Sequence, residues 1–186
     1  PACAVGEWDM CRNGRYTERG IKERNGFGSD YFRIEPDFLI KLDPSLGAAG
    51  VLLEPTSIVA KAWDHTERIG RRSRAYDPKT LLVTGAGPVG LLAALLGAQR
   101  GLDVHVLDNR ESLEKRLIVR ELGGTFHLGS LTDLTELKPD IVMECTGAPI
   151  VVRDVLGYTA SAGIVCLVGV SAPGHDFDVD LGSFNR

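Results

Sequence analysis

Val83-Thr84-Gly85-Ala86-Gly87-Pro88-Val89-Gly90, VTGAGPVG, is the stretch from which the rest of the chain can be read. It closes a short apolar run that begins at Thr80. It opens a longer segment, PVGLLAALLGAQRG, whose composition suits a helix. Gly101 stands where a left-handed residue would cap that helix. Pro88 falls in the first helical turn, where a missing N–H removes no bond. A strand that runs through glycines straight into a helix is the first half of a β–α–β unit.

The residues on either side extend the pattern. LDVHVLD predicts a second strand. SLEKRLIVRELGG predicts a second helix, with Ser112 as N-cap and Gly123-Gly124 as its stop. TFHLG, DIVMECTG and AGIVCLVGV predict three more strands, with a helix across PIVVRDVLGYTAS between the last two. Strands alternating with helices give a parallel sheet. Strands that are apolar throughout belong in a sheet covered on both faces. Upstream, Pro55 and the helical spacing of Ile58, Ala62 and Trp63 predict a helix from about Pro55 to Arg72. The first 45 or so residues, rich in glycine and mixed in polarity, predict loops and short strands.

Gly85, Gly87 and Gly90 form the pattern G-x-G-x-x-G. In this context each glycine has a reason. Gly85 permits the tight turn, Gly87 lets backbone approach a pyrophosphate, and Gly90 lets the helix lie close on the strand. The helix end offers free N–H groups and a positive dipole to the phosphates, with Ala86, Pro88 and Val89 filling the loop. An acid about 20 residues further on completes the fingerprint, and Asp108 lies 18 residues after Gly90. A carboxylate there accepts from ribose hydroxyls and repels a 2′-phosphate, which predicts NAD. Arg110, beyond Asn109, could pair such a phosphate, so NADP stays open. Cys145-Thr146-Gly147 and Val168-Gly169-Val170 end later strands and are expected to line the same cleft, mostly through backbone.

Composition excludes several classes. With 44% hydrophobic and 25% charged residues, the chain reads as an ordinary globular protein. A net charge of −4 gives no general attraction to nucleic acid or anionic membrane. The arginines at 68–74 read as a solvated helix end. No run approaches the roughly 20 apolar residues of a membrane span, and no leader is read in the first residues. Four scattered cysteines point to a reducing, cytoplasmic setting. Cys145 and Cys166 sit in apolar runs and read as small hydrophobes. Cys3 and Cys11 alone cannot complete a tetrahedral zinc site.

GEWDMC, ERGI, NGFGSDYF, LLEPTSIVAKAW, GAGPVGLL, ECTGAP and FDVDLGSFNR occur in order along nearly the whole chain. Together they resemble the zinc-containing glucose dehydrogenases of the medium-chain dehydrogenase/reductase superfamily. GAGPVG and ECTG recur across medium-chain enzymes. YTERGI…NGFGSDYF…LLEP is more particular to the sugar-oxidising branch. The resemblance implies a Rossmann-type doubly wound NAD(P)-binding domain over 55–186, lacking its last strand. Part of a GroES-like β-rich catalytic domain, with its zinc lobe, would precede it over 1–54. Cys3 and Cys11 have the spacing of the last two members of the lobe's C-x2-C-x2-C-x7-C set. Glu54 matches the carboxylate of a Cys, His, Glu catalytic zinc site. Glu18 matches a carboxylate that grips sugar hydroxyls.

The implied activity is oxidation of an aldose, D-glucose first, at C1 to the lactone, with hydride passing to NAD(P). The implied partners are a sugar and further copies of the same chain. Relatives often carry two basic residues after the second strand, whereas this chain has Asp108-Asn109-Arg110, which weakens the case for NADP. The Cys and His of the catalytic site would lie upstream of Pro1, so these 186 residues alone are expected to be a fragment without turnover. The other readings are a medium-chain alcohol, polyol or threonine dehydrogenase, and a non-catalytic nucleotide-binding protein. The latter would bind nucleotide without zinc.

Overall fold

A computed structural model describes residues 2–171 together with Gly174 and Asp178. FDVDLGSFNR, apart from Asp178, lies outside the described residues. The chain divides into two compact units, Pro1–Leu46 and Gly47–Arg186.

In the first unit, regular structure consists of 3-10 turns and two short strands, β1 (Glu18–Arg19) and β2 (Glu23–Arg24), as its glycine content led one to expect. The loop between them closes on itself through Glu18 N–H to Lys22 O and Lys22 N–H to Glu18 O, both at 2.8 Å. Gly20 takes φ +76° and faces Gly26, where the two backbone segments run close together, since a Cβ on Gly20 would lie 3.4 Å from Gly26 Cα. Trp8 stands largely in solvent.

The second unit opens with α1 (Leu53–Gly70) and continues through β3 (Thr80–Thr84), α2 (Pro88–Gln99), β4 (Asp103–Asp108), α3 (Leu113–Glu121), β5 (Thr125–Leu128), β6 (Ile141–Glu144), α4 (Pro149–Tyr158) and β7 (Ile164–Leu167). The five long strands form one parallel sheet in the order β5-β4-β3-β6-β7. Each strand and helix read from the sequence is present in this unit. The chain order reverses between β3 and β6, the place where open sheets of this kind bind ligands.

Neighbouring residues of one strand feed opposite cores, which is why the strands are apolar without alternation. Leu81, Val83, Val104, Val106, Ile141 and Met143 pack with Val59, Trp63, Ala93, Ala94 and Val119 of the helices. Leu82, Leu107 and Val142 pack on the other face with Leu131 and Val155. Doubly covered sheets bury enough apolar area to offset most of the chain's ordering entropy.

The helix ends follow the glycines. Gly101, at φ +75°, donates to Ala98 O at 2.9 Å, and Leu102 donates to Gly97 O at 3.3 Å. Gly123, at φ +78°, donates to Arg120 O, and Gly124 to Val119 O, both at 2.9 Å. Both are Schellman caps, in which a left-handed residue turns the chain back over the last carbonyls. Ser112 caps α3 by accepting from Lys115 N–H at 3.3 Å. On α1, Trp63 is 1% exposed and donates from Nε1 to Ala93 O at 3.4 Å, with the Arg100 guanidinium 4.6 Å over its ring. Gly97 makes room for Leu81 beside this tryptophan, since a Cβ there would lie 2.3 Å from Leu81 Cδ2. The arginines at the end of α1 and just after it are solvated as expected, with Arg68 paired to Asp64 at 3.0 Å and Arg71 to Glu67 at 2.5 Å.

His105 on β4 and His127 on β5 stack with Nδ1 and Nε2 2.8 Å apart, and His105 Nε2 faces Asp103 at 3.3 Å. Burial, and then repulsion from His105, hold His127 below the ordinary histidine value of 6.5. The unfolded chain therefore binds that proton more readily. The stability gained from a neutral ring is present above about pH 6.5 and is lost as pH falls through the lowered folded value. A urea midpoint that drops between about pH 7.5 and about 5.5 is expected, and His127→Gln should flatten that drop.

Candidate functional site

Everything that sequence reading assigned to the nucleotide lies at the C-terminal rim of the sheet, where β3 and β6 diverge. Gly85 follows β3 at φ +90°, a backbone region open to glycine at little cost, and donates to Leu107 O at 2.8 Å. A Cβ on Gly85 would meet Thr146 Cγ2 at 2.9 Å, so the glycine turn and the turn after β6 already touch. A Cβ on Gly90 would lie 1.8 Å from Gly85 O, whereas one on Gly87 would meet nothing within 4 Å. The two glycines thus do different work. Gly90 seats the helix on the turn, and Gly87 leaves open space in front of it.

No side chain caps α2, whose N-cap is Gly87 and whose first residues are Pro88, Val89 and Gly90. The leading N–H groups of a helix have no partner inside it. They face the space Gly87 leaves open, and the dipole favours an anion there. Ala86, by contrast, is committed, because its N–H is held by Asp108 Oδ2 at 2.9 Å.

Asp108 is the centre of the arrangement. Its side chain is 9% exposed. Oδ2 accepts from Ala86 N–H and from Lys115 Nζ at 2.8 Å, and Oδ1 accepts from Arg110 N–H at 2.9 Å. Burial raises its pKa. The Lys115 ammonium and the two backbone N–H groups outweigh that, and the net shift is downward from the ordinary 3.8. Asp108 is therefore ionised at any working pH, and it staples the glycine turn to the start of α3. Bonds to a charged acceptor of this kind contribute about 1.5–3 kcal/mol each. A carboxylate has about four acceptor positions, and three are occupied. One position on Oδ1 has no partner among the described residues.

Beside it lies a cavity of about 310 Å³, lined by Gly85, Asp108, Asn109, Ser130, Thr146 and Ile150 among others. Its polar edge at Asp108 and Asn109 and its apolar wall at Leu107, Leu131, Ile150 and Val151 suit a ribose joined to a flat, apolar-faced ring. The uncapped helix end and the cavity beside Asp108 thus suit the pyrophosphate and the adenosine ribose of an adenine dinucleotide.

The later strand ends are held by a residue the sequence reading passed over. Glu144, the last residue of β6, is fully buried. Its carboxylate accepts from Thr146 N–H at 2.7 Å, Gly147 N–H at 3.1 Å, Thr84 Oγ1 at 3.3 Å and the Thr146 hydroxyl. Its backbone oxygen accepts from Val168 N–H and Gly169 N–H, both at 2.8 Å. Gly147, at φ +65°, and Gly169 then press backbone on backbone. A Cβ on Gly147 would come within 2.4 Å of Val170 O, and one on Gly169 within 2.2 Å of Gly147 N. The expected backbone lining is therefore a welded pair of turns. The Cys145 side chain packs against the core instead, and burial followed by the Glu144 charge pushes its thiol up to about 12. It is a packing residue rather than a nucleophile. Cys166 packs against the same core.

The metal and sugar candidates are less gathered. Glu54 is exposed in the first turn of α1, where its backbone oxygen accepts from Ser57 Oγ at 2.6 Å. Cys3 is exposed, and the thiol of Cys11 donates to Asn13 Oδ1 at 3.2 Å. Glu18 is exposed on β1. Among the described residues no group of three His, Cys, Asp or Glu side chains could hold a metal ion. Two thiols or one carboxylate supply only part of a four-ligand zinc set, so these residues do not by themselves fit one. No helix among the described residues is long and apolar enough to cross a membrane.

Comparison with known proteins agrees with this geometry. A family model described as Glucose dehydrogenase C-terminus matches residues 47–186. The chain is 39% identical over 178 residues to a glucose 1-dehydrogenase of Methanocella arvoryzae, covering 91% of this chain and 49% of that protein. It is 38% identical over 168 residues to a glucose 1-dehydrogenase of Vulcanisaeta moutnovskia, covering 89% and 48%. The chain spans about half the length of the curated relatives it matches. A solved glucose dehydrogenase of Haloferax mediterranei, in complex with NADP, Zn and gluconolactone, superposes with a TM-score of 0.87 at 29% identity. That match covers 100% of this chain and 54% of the other.

Proposed function

Because the chain belongs to the glucose dehydrogenase family, we propose that it supplies the nucleotide-binding half of a cytoplasmic, oligomeric enzyme that oxidises D-glucose at C1. Residues 55–186 act as the NAD(P) domain and 1–54 as part of the catalytic domain. The observation that carries this reading is the cradle. Gly87 leaves space before an uncapped helix end, and Asp108 keeps one acceptor position free beside a cavity with room for a ribose and an attached ring. The free N–H groups at the head of α2 bind the pyrophosphate, and Asp108 orients the adenosine ribose. Glu144 holds the turn at 145–147 against the glycine turn, which fixes the wall along which the rest of the nucleotide lies.

Bound nicotinamide supplies the acceptor chemistry. It would take a hydride from the sugar's C1 as the hydroxyl proton was released and the lactone formed, with the head of α2 and Asp108 as the groups that would hold the nucleotide. For the whole protein the proposal includes zinc, with Glu54, Cys3 and Cys11 as this chain's share of the donors and Glu18 directed to the sugar. The four free cysteines suit a reducing compartment.

Calorimetric titration of the chain with NAD+ and NADP+ tests the cradle. Initial rates of the whole protein on glucose, galactose, xylose, sorbitol and ethanol test the substrate. Micromolar binding of at least one nucleotide and the highest kcat/KM on glucose are expected, each within the range common for enzymes. Binding of neither nucleotide, or faster turnover of sorbitol or ethanol than of glucose, would reject the proposal.

A further inference from the structure

Asn-Gly is the pair at which a peptide chain most readily attacks its own side chain, because glycine leaves its backbone nitrogen unshielded by a Cβ. The chain holds two such pairs, Asn13-Gly14 and Asn25-Gly26, and each follows an arginine. Both pairs are exposed in the first unit, so neither local sequence nor accessibility separates them. Their hydrogen bonds do. Asn13 Oδ1 accepts from Arg15 N–H at 2.9 Å and from the Cys11 thiol at 3.2 Å, and Gly14 O accepts from the Lys22 ammonium. The Asn13 amide is thus pinned in an Asx turn, with Gly14 held from its far side. Among the described residues no hydrogen bond engages the Asn25 side chain or Gly26 N–H. Gly26 is itself favoured where it stands, since a Cβ there would press on Gly20 Cα at 3.3 Å. The packing that brings these two backbone segments together therefore also leaves Asn25 beside an unshielded nitrogen.

We propose that Asn25 is a site of spontaneous deamidation and that the fold protects Asn13 from the same reaction. The Gly26 nitrogen gives up its proton to water and forms a bond to Asn25 Cγ, and the side-chain nitrogen departs as ammonia. Water then opens the cyclic imide at one of its two carbonyls. One opening leaves aspartate; the other leaves isoaspartate, in which the main chain runs through the side-chain methylene. No oxidant or reductant takes part. The isoaspartate form lengthens the backbone between positions 25 and 26, where Gly26 lies against Gly20. It also adds a negative charge directly after β2. The bond from Gly20 N–H to Arg24 O, at 2.8 Å, borders the lengthened peptide, so the loop between β1 and β2 loosens as the modification accumulates.

The test is ageing of the native chain in mildly alkaline buffer, followed by peptide mapping by mass spectrometry and by labelling with an isoaspartyl methyltransferase. Deamidation is expected to accumulate at Asn25 roughly tenfold faster than at Asn13, the factor that one or two hydrogen bonds impose on the motion the attack needs. Asn25→Gln should remove most of the methyl acceptance, because the longer side chain closes its ring far more slowly, whereas Asn13→Gln should leave it unchanged. Ageing in concentrated urea is the control. Both pairs are then free, each sits between an arginine and a glycine, and their rates should converge. Equal rates in the folded chain, faster reaction at Asn13, or no methyl acceptance after ageing each overturn the inference. Rates that stay apart in urea overturn it too, since the difference would then belong to the sequence and not to the fold.

Discussion

A Gly90→Ala chain is expected to be less stable by roughly 2–4 kcal/mol and to lose about a hundredfold in nucleotide affinity. The new methyl would lie 1.8 Å from Gly85 O, closer than any non-bonded pair allows. The obstacle is backbone rather than a flexible side chain, so α2 and the glycine turn must separate by more than an ångström. The turn is also fastened to Asp108 and Leu107 O, so it cannot yield alone. Gly87→Ala is the control. Its φ of −79° suits alanine, and its methyl meets nothing. Stability should stay within about 1 kcal/mol of native, while nucleotide affinity falls because the methyl occupies the phosphate's space. Thermal melts with and without NAD+ separate the two effects. Equal melting temperatures for native and Gly90→Ala chains would show that the helix is not seated as described.

The second large effect belongs to Glu144. Replacing it with alanine removes the carboxylate that accepts from Thr146 N–H and Gly147 N–H, and opens a void where its side chain packed. The buried Gly147 donor left without a partner costs about 1–3 kcal/mol and the void adds to it, so a total loss of roughly 3–5 kcal/mol is expected. Glu144→Gln should fall between the two chains. Its amide oxygen can serve one donor set, but its NH2 group faces the other. Urea unfolding measures this directly as a shift in midpoint at constant slope. A loss below about 1 kcal/mol would mean that the 145–147 turn is held by something else.

Much of this was legible before any coordinates. The strand, glycine turn, helix and acid at 80–108 are local features, and their meaning depends on short separations along the chain. Gly101 and Gly123 terminate helices by a backbone rule that needs no tertiary partner. The residues that stayed hidden are those whose roles arise only on folding. Lys115 reads as a surface residue of an amphipathic helix until α3 docks and brings it against Asp108. Glu144 reads as an anomaly in an apolar strand until the turn after β6 folds back and aims its N–H groups at the carboxylate. Residues 2–46 gave little beyond loops and short strands, because dipeptide strands carry no periodicity to read. For the same reason Glu18, Cys3 and Cys11 owe their proposed roles to family resemblance and not to a visible cluster.

The chain has two tryptophans, and they fall on opposite sides of the unit boundary. Trp8 is 69% exposed in the first unit, and Trp63 is sealed between α1 and α2 beneath a guanidinium in the second. Their indoles differ in polarity and in access to quenchers such as iodide. The protein thus carries two intrinsic optical probes, one per unit, and the melting of each can be followed separately without a label.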